Sequence, residues 1–235
     1  MTTSSRIVFP SVGCLVLCLS LSTAAHADHV IDAFSDPIAG RCPSTGALNN
    51  FIWAGKWTGV ATIPACTISQ SLLQGAVGHQ RTLTVKEPSL TNFITVSKVT
   101  EADGSDAIGY GTGLARSGIL TLEYGLVASL NLDLSADRAF QLTIEGDMDQ
   151  SYTVRPVRLT IAARTGAGSV ISASTSITHD GVWQIPFTSF PGVSFFDVDY
   201  ISVTLDASAV SGVDYDLFGG PNAGLRTVSG TTGGY

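Results

Sequence analysis

The chain carries little positive charge. Its 235 residues include 12 Lys and Arg against 19 Asp and Glu, which gives a formal net charge of -7. The lysines are Lys56, Lys86 and Lys98 alone. A surface that neutralises a phosphate backbone needs clustered basic side chains, and this composition does not supply them. We therefore expect no nucleic-acid partner.

Sequence motifs of common catalytic sites are also missing. The chain has no GxSxG elbow, no HExxH, no P-loop and no CxxC. The alternative is a Ser-His-Asp site or a pair of carboxylates that the fold brings together. The candidate residues for such a site are His29, His79, His179, Glu123 and Glu145. Outward strand positions explain the glutamates more simply. We therefore predict that the protein is not an enzyme.

The sequence has no helical periodicity, and apolar and polar residues instead alternate with a period of two. Gly accounts for 25 residues, and no apolar stripe at helical spacing extends beyond two turns. In the segment DGVWQIPF, residues 180–187, the side chains of Trp183, Ile185 and Phe187 fall on one face. In VDYISVTLD, residues 198–206, Tyr200 falls on the wetter face. The sequence is of the all-β class.

Short strand signals recur about every ten residues, separated by Gly, Pro, Asn or Asp, and they include the apolar segment 126–134. Residues 35–66 are predicted to be irregular, and the polar, Gly-rich residues 101–118 are predicted to form a loop between strands. The spacing of the strand signals predicts a two-sheet β-sandwich of the jelly-roll or immunoglobulin kind. The jelly roll is favoured because both later cysteines lie early in the chain, whereas an immunoglobulin domain places one on each of two distant core strands. We predict one domain over residues 28–218. The Gly-rich segment 219–235 is predicted to be a flexible tail, because it offers little apolar surface to bury.

The first 27 residues have the pattern of a secretory signal peptide. Arg6 supplies the positive start, residues 7–21 the apolar run, and Ala25-His26-Ala27 the small-residue cleavage site. The alternative is a retained anchor, but Pro10 and Gly13 interrupt the run. We predict a secreted, extracellular or periplasmic protein that does not contact the membrane after cleavage.

Two cysteines remain after the predicted signal peptide, Cys42 and Cys66. An exported protein folds in a compartment that permits disulfides, so we predict that the two are paired. The alternative is two free thiols or a metal pair, although no His or third Cys lies nearby to complete a zinc site.

The order of several segments resembles a known family. DLSADRAFQLTIEGDMD is followed by a strand, then DGVWQIPFTSF, VDYISVTLD and DYDLF. This order resembles the galactose-binding-like jelly rolls, in the branch of family-11-type carbohydrate-binding modules and complex I intermediate-associated proteins. The opening VIDAFSDP and the segment LLQGAVGHQRTLTV are similar to secreted bacterial relatives. The resemblance implies a jelly roll that presents a sheet face or a loop rim to glycans, without catalysis.

Acidic residues near the two ends of the predicted domain could hold a metal ion. If the first and last strands pair, as they do in the resembling family, Asp32 comes close to Asp214 and Asp216. Carboxylate oxygens are the ligands that Ca²⁺ prefers. The sequence therefore predicts a structural calcium site at these residues, with solvated strand-end acids as the alternative.

Aromatic side chains are the usual platforms for sugars, because a flat ring covers the apolar face of a pyranose. Trp53, Trp57, Tyr110 and Tyr124 have Gly, Asn or Lys among their neighbours, so we predict them as exposed ligand-binding platforms. Trp183 lies among aliphatic and aromatic residues and is assigned to the core.

These observations lead to two hypotheses about function. The first is a secreted, non-catalytic, carbohydrate-binding-like protein that recognises an extracellular glycan or polysaccharide. The second is an extracellular adhesive or structural protein, such as a surface or filament subunit. It would act through protein partners or self-association by edge-strand pairing, which a low lysine content leaves open.

Overall fold

The computed structural model describes the part of the chain that forms the folded body. The described residues are 29–39, 42, 51–56, 62–88, 93–100, 106–112, 118–144, 157–179, 181–208, 215–218 and 225–228. The predicted signal peptide, residues 1–27, lies outside them.

Six of the described strands form one antiparallel sheet. Its members are β3 (Ala65–Ser71), β4 (Gln80–Lys86), β7 (Ile119–Tyr124), β9 (Val157–Arg164), β10 (Ile171–Ile177) and β12 (Tyr200–Asp206). The strand order across the sheet is β10-β9-β12-β7-β4-β3. Strands distant in sequence are therefore neighbours, and β10 and β3 form the two edges.

The remaining described strands form two antiparallel sheets of four strands each. One contains β1 (Val30–Asp32), β8 (Ala139–Ile144), β11 (Gly181–Pro186) and β14 (Leu225–Val228), in the order β1-β14-β8-β11. The other contains β2 (Phe51–Gly55), β5 (Phe93–Thr100), β6 (Asp106–Thr112) and β13 (Tyr215–Phe218), in the order β13-β6-β5-β2.

One hydrophobic core joins the six-stranded sheet to both smaller sheets. In β7 the inward residues Leu120, Leu122 and Tyr124 are buried, while the residues between them are half-exposed. The same cluster includes Ile94 from β5 and Phe140 from β8. Alternation of this kind is what a strand with one covered face requires. The predicted all-β jelly-roll sandwich is confirmed, and the layer opposite the six-stranded sheet consists of two hydrogen-bonded sheets.

The segment after β11 supplies an aromatic cluster to this core. The rings of Phe187 and Phe195 stack with their centroids 3.7 Å apart. Phe140 of β8 meets the edges of Phe187 and Phe190 at 5.0 Å and 5.4 Å. Trp183 packs partly buried against the core, as the sequence predicted. The alternation in residues 180–187 therefore placed Trp183 and Phe187 on the core side correctly.

Four segments differ from the sequence-based expectations. Asp106–Thr112 forms β6 within a stretch expected to be a loop, and Phe51–Gly55 forms β2 within one expected to be irregular. Residues 126–134, expected to be a strand, contribute only the bridge from Leu132 to Val198. Leu225–Val228, inside the expected tail, forms β14 between β1 and β8. A Gly-rich segment can be held by backbone pairing with two neighbouring strands even when it contributes little apolar surface.

Cys42 and Cys66 form a disulfide, which confirms the predicted pairing. The bridge attaches Cys42 to β3, and the two Cα atoms lie 5.5 Å apart. Among the described residues, no helix is long and apolar enough to cross a bilayer.

Gly125 makes the turn after β7 possible. Its φ of +79° lies in the left-handed region, and a Cβ at this position would overlap the backbone carbonyl of Asp199. We expect Gly125→Ala to destabilise the protein by about 2 kcal/mol or more, since strain and overlap add. Gly166→Ala is the matched control, because Gly166 has a φ of +55° but its nearest neighbour would lie 4.0 Å away. Urea unfolding of both variants checks this, and equal losses would contradict the overlap.

Candidate functional site

The structure places three of the four predicted aromatic platforms in the core. Trp53, Tyr110 and Tyr124 are 3%, 1% and 0% exposed. Each ring lies in a strand that packs on the core, and in β2 the consecutive residues Ile52, Trp53 and Ala54 are all buried. They cannot stack on a glycan at the surface, so this prediction is corrected for all three. Trp57 lies outside the described residues.

Asp32 belongs to a buried polar network instead of a metal site. Its Oδ2 accepts hydrogen bonds from Arg81 Nη1 at 2.8 Å and from the Tyr124 hydroxyl at 2.9 Å. Its Oδ1 accepts the backbone N–H of Phe34 at 2.8 Å. The Arg81 guanidinium also donates to Gln70 Oε1 at 3.2 Å and 2.9 Å. Burial raises the pKa of Asp32 above its ordinary value, whereas the Arg81 charge and the three hydrogen bonds lower it.

This network removes Asp32 from the predicted calcium set. Both carboxylate oxygens of Asp32 are already used by donors, so they do not converge on a cation. Strand pairing also differs from the expectation, because β1 pairs with β14 while Asp216 lies in β13, which pairs with β6. Asp214 lies outside the described residues. Across the part of the chain that is described, no group of three His, Cys, Asp or Glu could hold a metal ion.

The three histidines considered for a hydrolytic site lie in separate local environments. Their contacts are His29 with the Asp137 carboxylate at 2.8 Å, His79 with the Leu73 carbonyl at 2.8 Å, and His179 with the Trp183 ring at 4.7 Å.

The outward face of the six-stranded sheet is dominated by hydroxyl groups. One row of paired residues crosses all six strands, and we call it the hydroxyl row. Its members, from edge to edge, are Thr67, Thr84, Thr121, Thr204, Thr160 and Ser174. Three adjacent pairs within it are hydrogen-bonded, at 3.0 Å, 3.2 Å and 2.8 Å. Six β-strands about 4.8 Å apart make such a row roughly 24 Å long.

Longer polar side chains gather beside the hydroxyl row, at the end where β12 begins. We call Gln80, Glu123, Arg164 and Tyr200 the outer-face cluster. The Tyr200 hydroxyl donates to Glu123 Oε1 at 2.7 Å, and the Arg164 guanidinium lies 5.4 Å from the centroid of the Tyr200 ring. Arg164 and Tyr200 are directly paired across β9 and β12. A guanidinium at this distance over an aromatic ring is a cation–π contact.

The electrostatics of the cluster keep Tyr200 neutral. Burial raises the pKa of Tyr200 to about 12, with the Glu123 carboxylate adding to the rise while Ser202 and Arg164 oppose it. Tyr200 therefore retains its proton throughout the physiological range and remains a donor to Glu123. A neutral, half-buried ring held between a carboxylate and a guanidinium is fixed in orientation.

Two buried polar atoms of the cluster have unused hydrogen-bonding capacity. Gln80 Oε1 finds no donor and Arg164 Nε no acceptor among the described residues. Thr82 pairs with Glu123, so Gln80, two residues along β4, is a diagonal neighbour of Glu123 on the same face. An unpartnered buried polar atom costs about 1 to 3 kcal/mol, and because both atoms are covered, a ligand reaches them only when neighbouring side chains move.

The cluster therefore combines the elements of a polar ligand site. It offers a ring, a carboxylate, a guanidinium, an amide and a surrounding field of hydroxyls. Together these can bind a ligand with many hydroxyl groups, because each hydroxyl both donates and accepts.

The loops beside the cluster are tied together by Asp199, which precedes β12. Asp199 is 6% exposed, and its carboxylate accepts hydrogen bonds from the Ser129 hydroxyl and the Gly166 N–H. Its own N–H donates to the Arg164 carbonyl at 2.9 Å. Asp199 thereby fixes the ends of β7, β9 and β12, the strands that carry three members of the cluster.

Sequence reasoning missed this cluster although the signal was present. The alternation of residues 198–206 placed Tyr200 on the wetter face, and the structure confirms that orientation. It could not show that Arg164 and Glu123, 36 and 77 residues away along the chain, lie beside it. The register of β12 with β9 and β7 makes that contact.

Comparisons with known proteins were made at the level of sequence and of structure. No protein-family model and no curated protein matches the chain. Among solved structures, a family 11 carbohydrate-binding module of a cellulosomal cellulase of Clostridium thermocellum aligns at 16% identity, over 88% of this chain and 97% of that one, with a TM-score of 0.41.

The chain is similar to family 11 carbohydrate-binding modules. A family 11 module from Clostridium thermocellum in complex with a β-1,3-1,4-mixed-linked tetrasaccharide aligns at 14% identity over 75% of this chain and 95% of that one, with a TM-score of 0.37. A family 61 module with β-1,4-galactotriose aligns at 12% identity, over 63% and 83%, with a TM-score of 0.29. Because these identities are low, the fold of this chain is described from its own strands and strand registers and not from the similar structures.

Proposed function

We propose that this protein binds an extracellular glycan through the outward face of its six-stranded sheet, with the outer-face cluster as the centre of the site. The observation that carries the proposal is the half-buried ring of Tyr200, which lies between the Glu123 carboxylate and the Arg164 guanidinium on a sheet face rich in hydroxyl groups. The ring can cover the apolar face of a sugar while the surrounding polar groups bond with the sugar hydroxyls, because each hydroxyl donates and accepts.

The chemistry of the face supports a neutral glycan over an anionic ligand. Arg164 is the basic member of the cluster, and Glu123 lies in the same cluster, so the two formal charges balance. The hydroxyl row contributes groups that form hydrogen bonds without charge. A neutral polymer of hydroxyl-bearing rings matches this surface better than a phosphate or a polyacid does.

We propose binding without catalysis. The Glu123 carboxylate accepts the Tyr200 hydroxyl at 2.7 Å, an arrangement that positions the ring and keeps the carboxylate hydrogen-bonded. The export, the secreted location and the cleavage after Ala27 remain predictions of the sequence.

Substitution of Tyr200 tests the proposal. The probe is a panel of soluble neutral polysaccharides, with binding measured by affinity electrophoresis. We expect Tyr200→Ala to weaken binding at least tenfold, about 1.4 kcal/mol, since the ring and the link to Glu123 are both lost. Tyr200→Phe keeps the ring and should lose less.

Val182→Ala is the matched control for the panel. Val182 is 53% exposed on β11, which belongs to one of the four-stranded sheets. It should leave binding unchanged. Equal binding by wild type and Val182→Ala, with binding by Tyr200→Ala at least tenfold weaker, would support the site, while unchanged binding by Tyr200→Ala would contradict it. Release of reducing sugar from any bound polysaccharide would overturn the non-catalytic part of the proposal.

A further inference from the structure

Strand β10 is a long edge strand without the features that normally block strand pairing. It has seven residues, Ile171–Ile177, and among the described strands it pairs with β9 alone. The register of β10 with β9 runs through all seven residues without a bulge. Edge strands expose a row of backbone donors and acceptors, and proteins usually protect them with charge, proline, bulges or covering segments.

The sequence around β10 supplies none of the side-chain protections. From Thr165 to Thr178 there is no charged residue and no proline. The residues alternate between hydroxyl-bearing and mainly apolar types, and those from 171 to 176 are all half-exposed or exposed. The chain as a whole has a net charge of -7, and an uncharged edge lets a second copy approach with little repulsion.

The opposite edge of the same sheet, strand β3, is protected by contacts with the N-terminal segment. Strand β3 is also uncharged, but Cys66 within it is bonded to Cys42. The Gln70 side chain donates from Nε2 to the Pro37 carbonyl at 2.8 Å, which holds the N-terminal segment beside this edge. The edge at β3 is therefore held by contacts with the N-terminal segment, whereas no strand in the described part of the chain pairs with the free edge of β10.

We propose that β10 pairs antiparallel with β10 of a second copy about a two-fold axis at Ser174. This register pairs Ile171 with Ile177 of the second copy, Ser172 with Ser176, and Ser174 with Ser174. It uses all seven residues, so every outward backbone group of the strand is satisfied.

The register also joins the outward faces of the two copies. Ser174 is the last member of the hydroxyl row and bonds with Thr160 at 2.8 Å. A two-fold axis at Ser174 therefore continues the row from one copy into the other. The proposal stands on the edge geometry and does not depend on glycan binding. One strand is a small contact compared with the roughly 800 Å² per partner of a standard interface, so the dimer should depend on concentration.

Cysteine cross-linking tests the register, in the full chain with Cys14 and Cys18, the two cysteines of the predicted signal peptide, replaced by serine. Ser174→Cys places two thiols on the axis, where paired Cα atoms about 4.5 to 5.5 Å apart suit a disulfide. We expect a covalent dimer under mild oxidation. Ser172→Cys is the matched control, since it faces Ser176 of the second copy and should cross-link at least tenfold more slowly. Equal rates, or no cross-link at Ser174, would overturn the register.

Sedimentation velocity over a range of concentrations tests the pairing itself. Wild type should shift towards a dimer as concentration rises. Ser174→Lys places two ammonium groups opposite each other and should raise the dissociation constant at least tenfold, while Ser69→Lys, outward on β3, should not. Melting temperatures of both variants check that they fold. A wild-type protein that stays monomeric throughout, or a dimer unaffected by Ser174→Lys, would contradict the proposal.

Discussion

Arg81→Met is expected to destabilise the protein by about 3 to 5 kcal/mol, as removing one partner of a buried ion pair does. Both side chains of the pair are 0% exposed, and Arg81 Nη1 lies 2.8 Å from Asp32 Oδ2. Without the guanidinium, the Asp32 carboxylate stays in the core with Tyr124 and one backbone N–H as donors. Urea unfolding at pH 7 gives the measurement, through a lower midpoint at an unchanged slope.

The pH dependence of the Arg81→Met variant identifies the cause. Removing Arg81 removes the charge that lowers the pKa of Asp32, so burial raises that pKa further above the ordinary value of 3.8. An acid whose folded pKa is raised favours the folded state when protonated. The loss relative to wild type should therefore be full above the folded pKa and should shrink as pH falls towards 3.8.

Two companion variants separate the ion pair from its surroundings. Tyr124→Phe removes one donor to Asp32 and should cost about 1 to 2 kcal/mol. Asp32→Leu combined with Arg81→Met replaces the pair with apolar side chains and should recover much of the single-variant loss. A double variant as unstable as the sum of its singles would show that the network acts through packing alone.

Removal of the disulfide is expected to have the second large effect. Cys42 and Cys66 are separated by 24 residues, and a closed loop of this size stabilises by about 3 kcal/mol in the chain-entropy model. Replacing both cysteines with serine should lower the free energy of unfolding by about that amount. Thermal unfolding of the variant, beside wild type with and without a reductant, gives the measurement.

The comparison with reductant serves as the control. Reduced wild type and the double serine variant should melt at similar temperatures, both below oxidised wild type. A reductant that lowers the melting temperature of the serine variant as well would point to a cause other than this bridge.

The two effects meet in one region of the fold. Asp32 and Cys42 both belong to the N-terminal part of the domain, and Arg81 and Cys66 hold that part to β4 and β3. The Asp36 carboxylate adds a third attachment, by accepting the backbone N–H groups of Gln74 and Gly75. Combining Arg81→Met with loss of the disulfide should therefore give a change that departs from the sum of the two, since neighbouring attachments are coupled.

Much of the fold could be predicted from the local sequence pattern. The errors occur where pairing with neighbouring strands overrides local propensity. The strands of residues 80–86, 157–164 and 200–206 were clear because alternation is a local property of the chain. The sequence of residues 106–112 predicts a loop because Gly and Asp depress strand propensity, yet β5 and β13 pair with that segment on both sides. Pairing across a sheet overrides propensity when both neighbours are in place.

The site was predictable only in part, because polar neighbours in sequence do not make a ring exposed. Tyr110 and Tyr124 looked like surface platforms, but the pleat turns each of them into the core. Tyr200 was placed outward correctly from the alternation of its own strand. Its partners could not be identified, since their proximity depends on which strands are adjacent.

Local sequence pattern was enough to predict the all-β class, the orientation of each clear strand and the pairing of Cys42 with Cys66. The strand order, the burial of Asp32 against Arg81, the outer-face cluster around Tyr200 and the edge position of β10 among the described strands depend on the assembled fold. The physical reason is range: backbone pleat and side-chain periodicity act over a few residues. The contacts that bury Asp32 and that assemble the outer-face cluster join residues 36 to 92 positions apart along the chain.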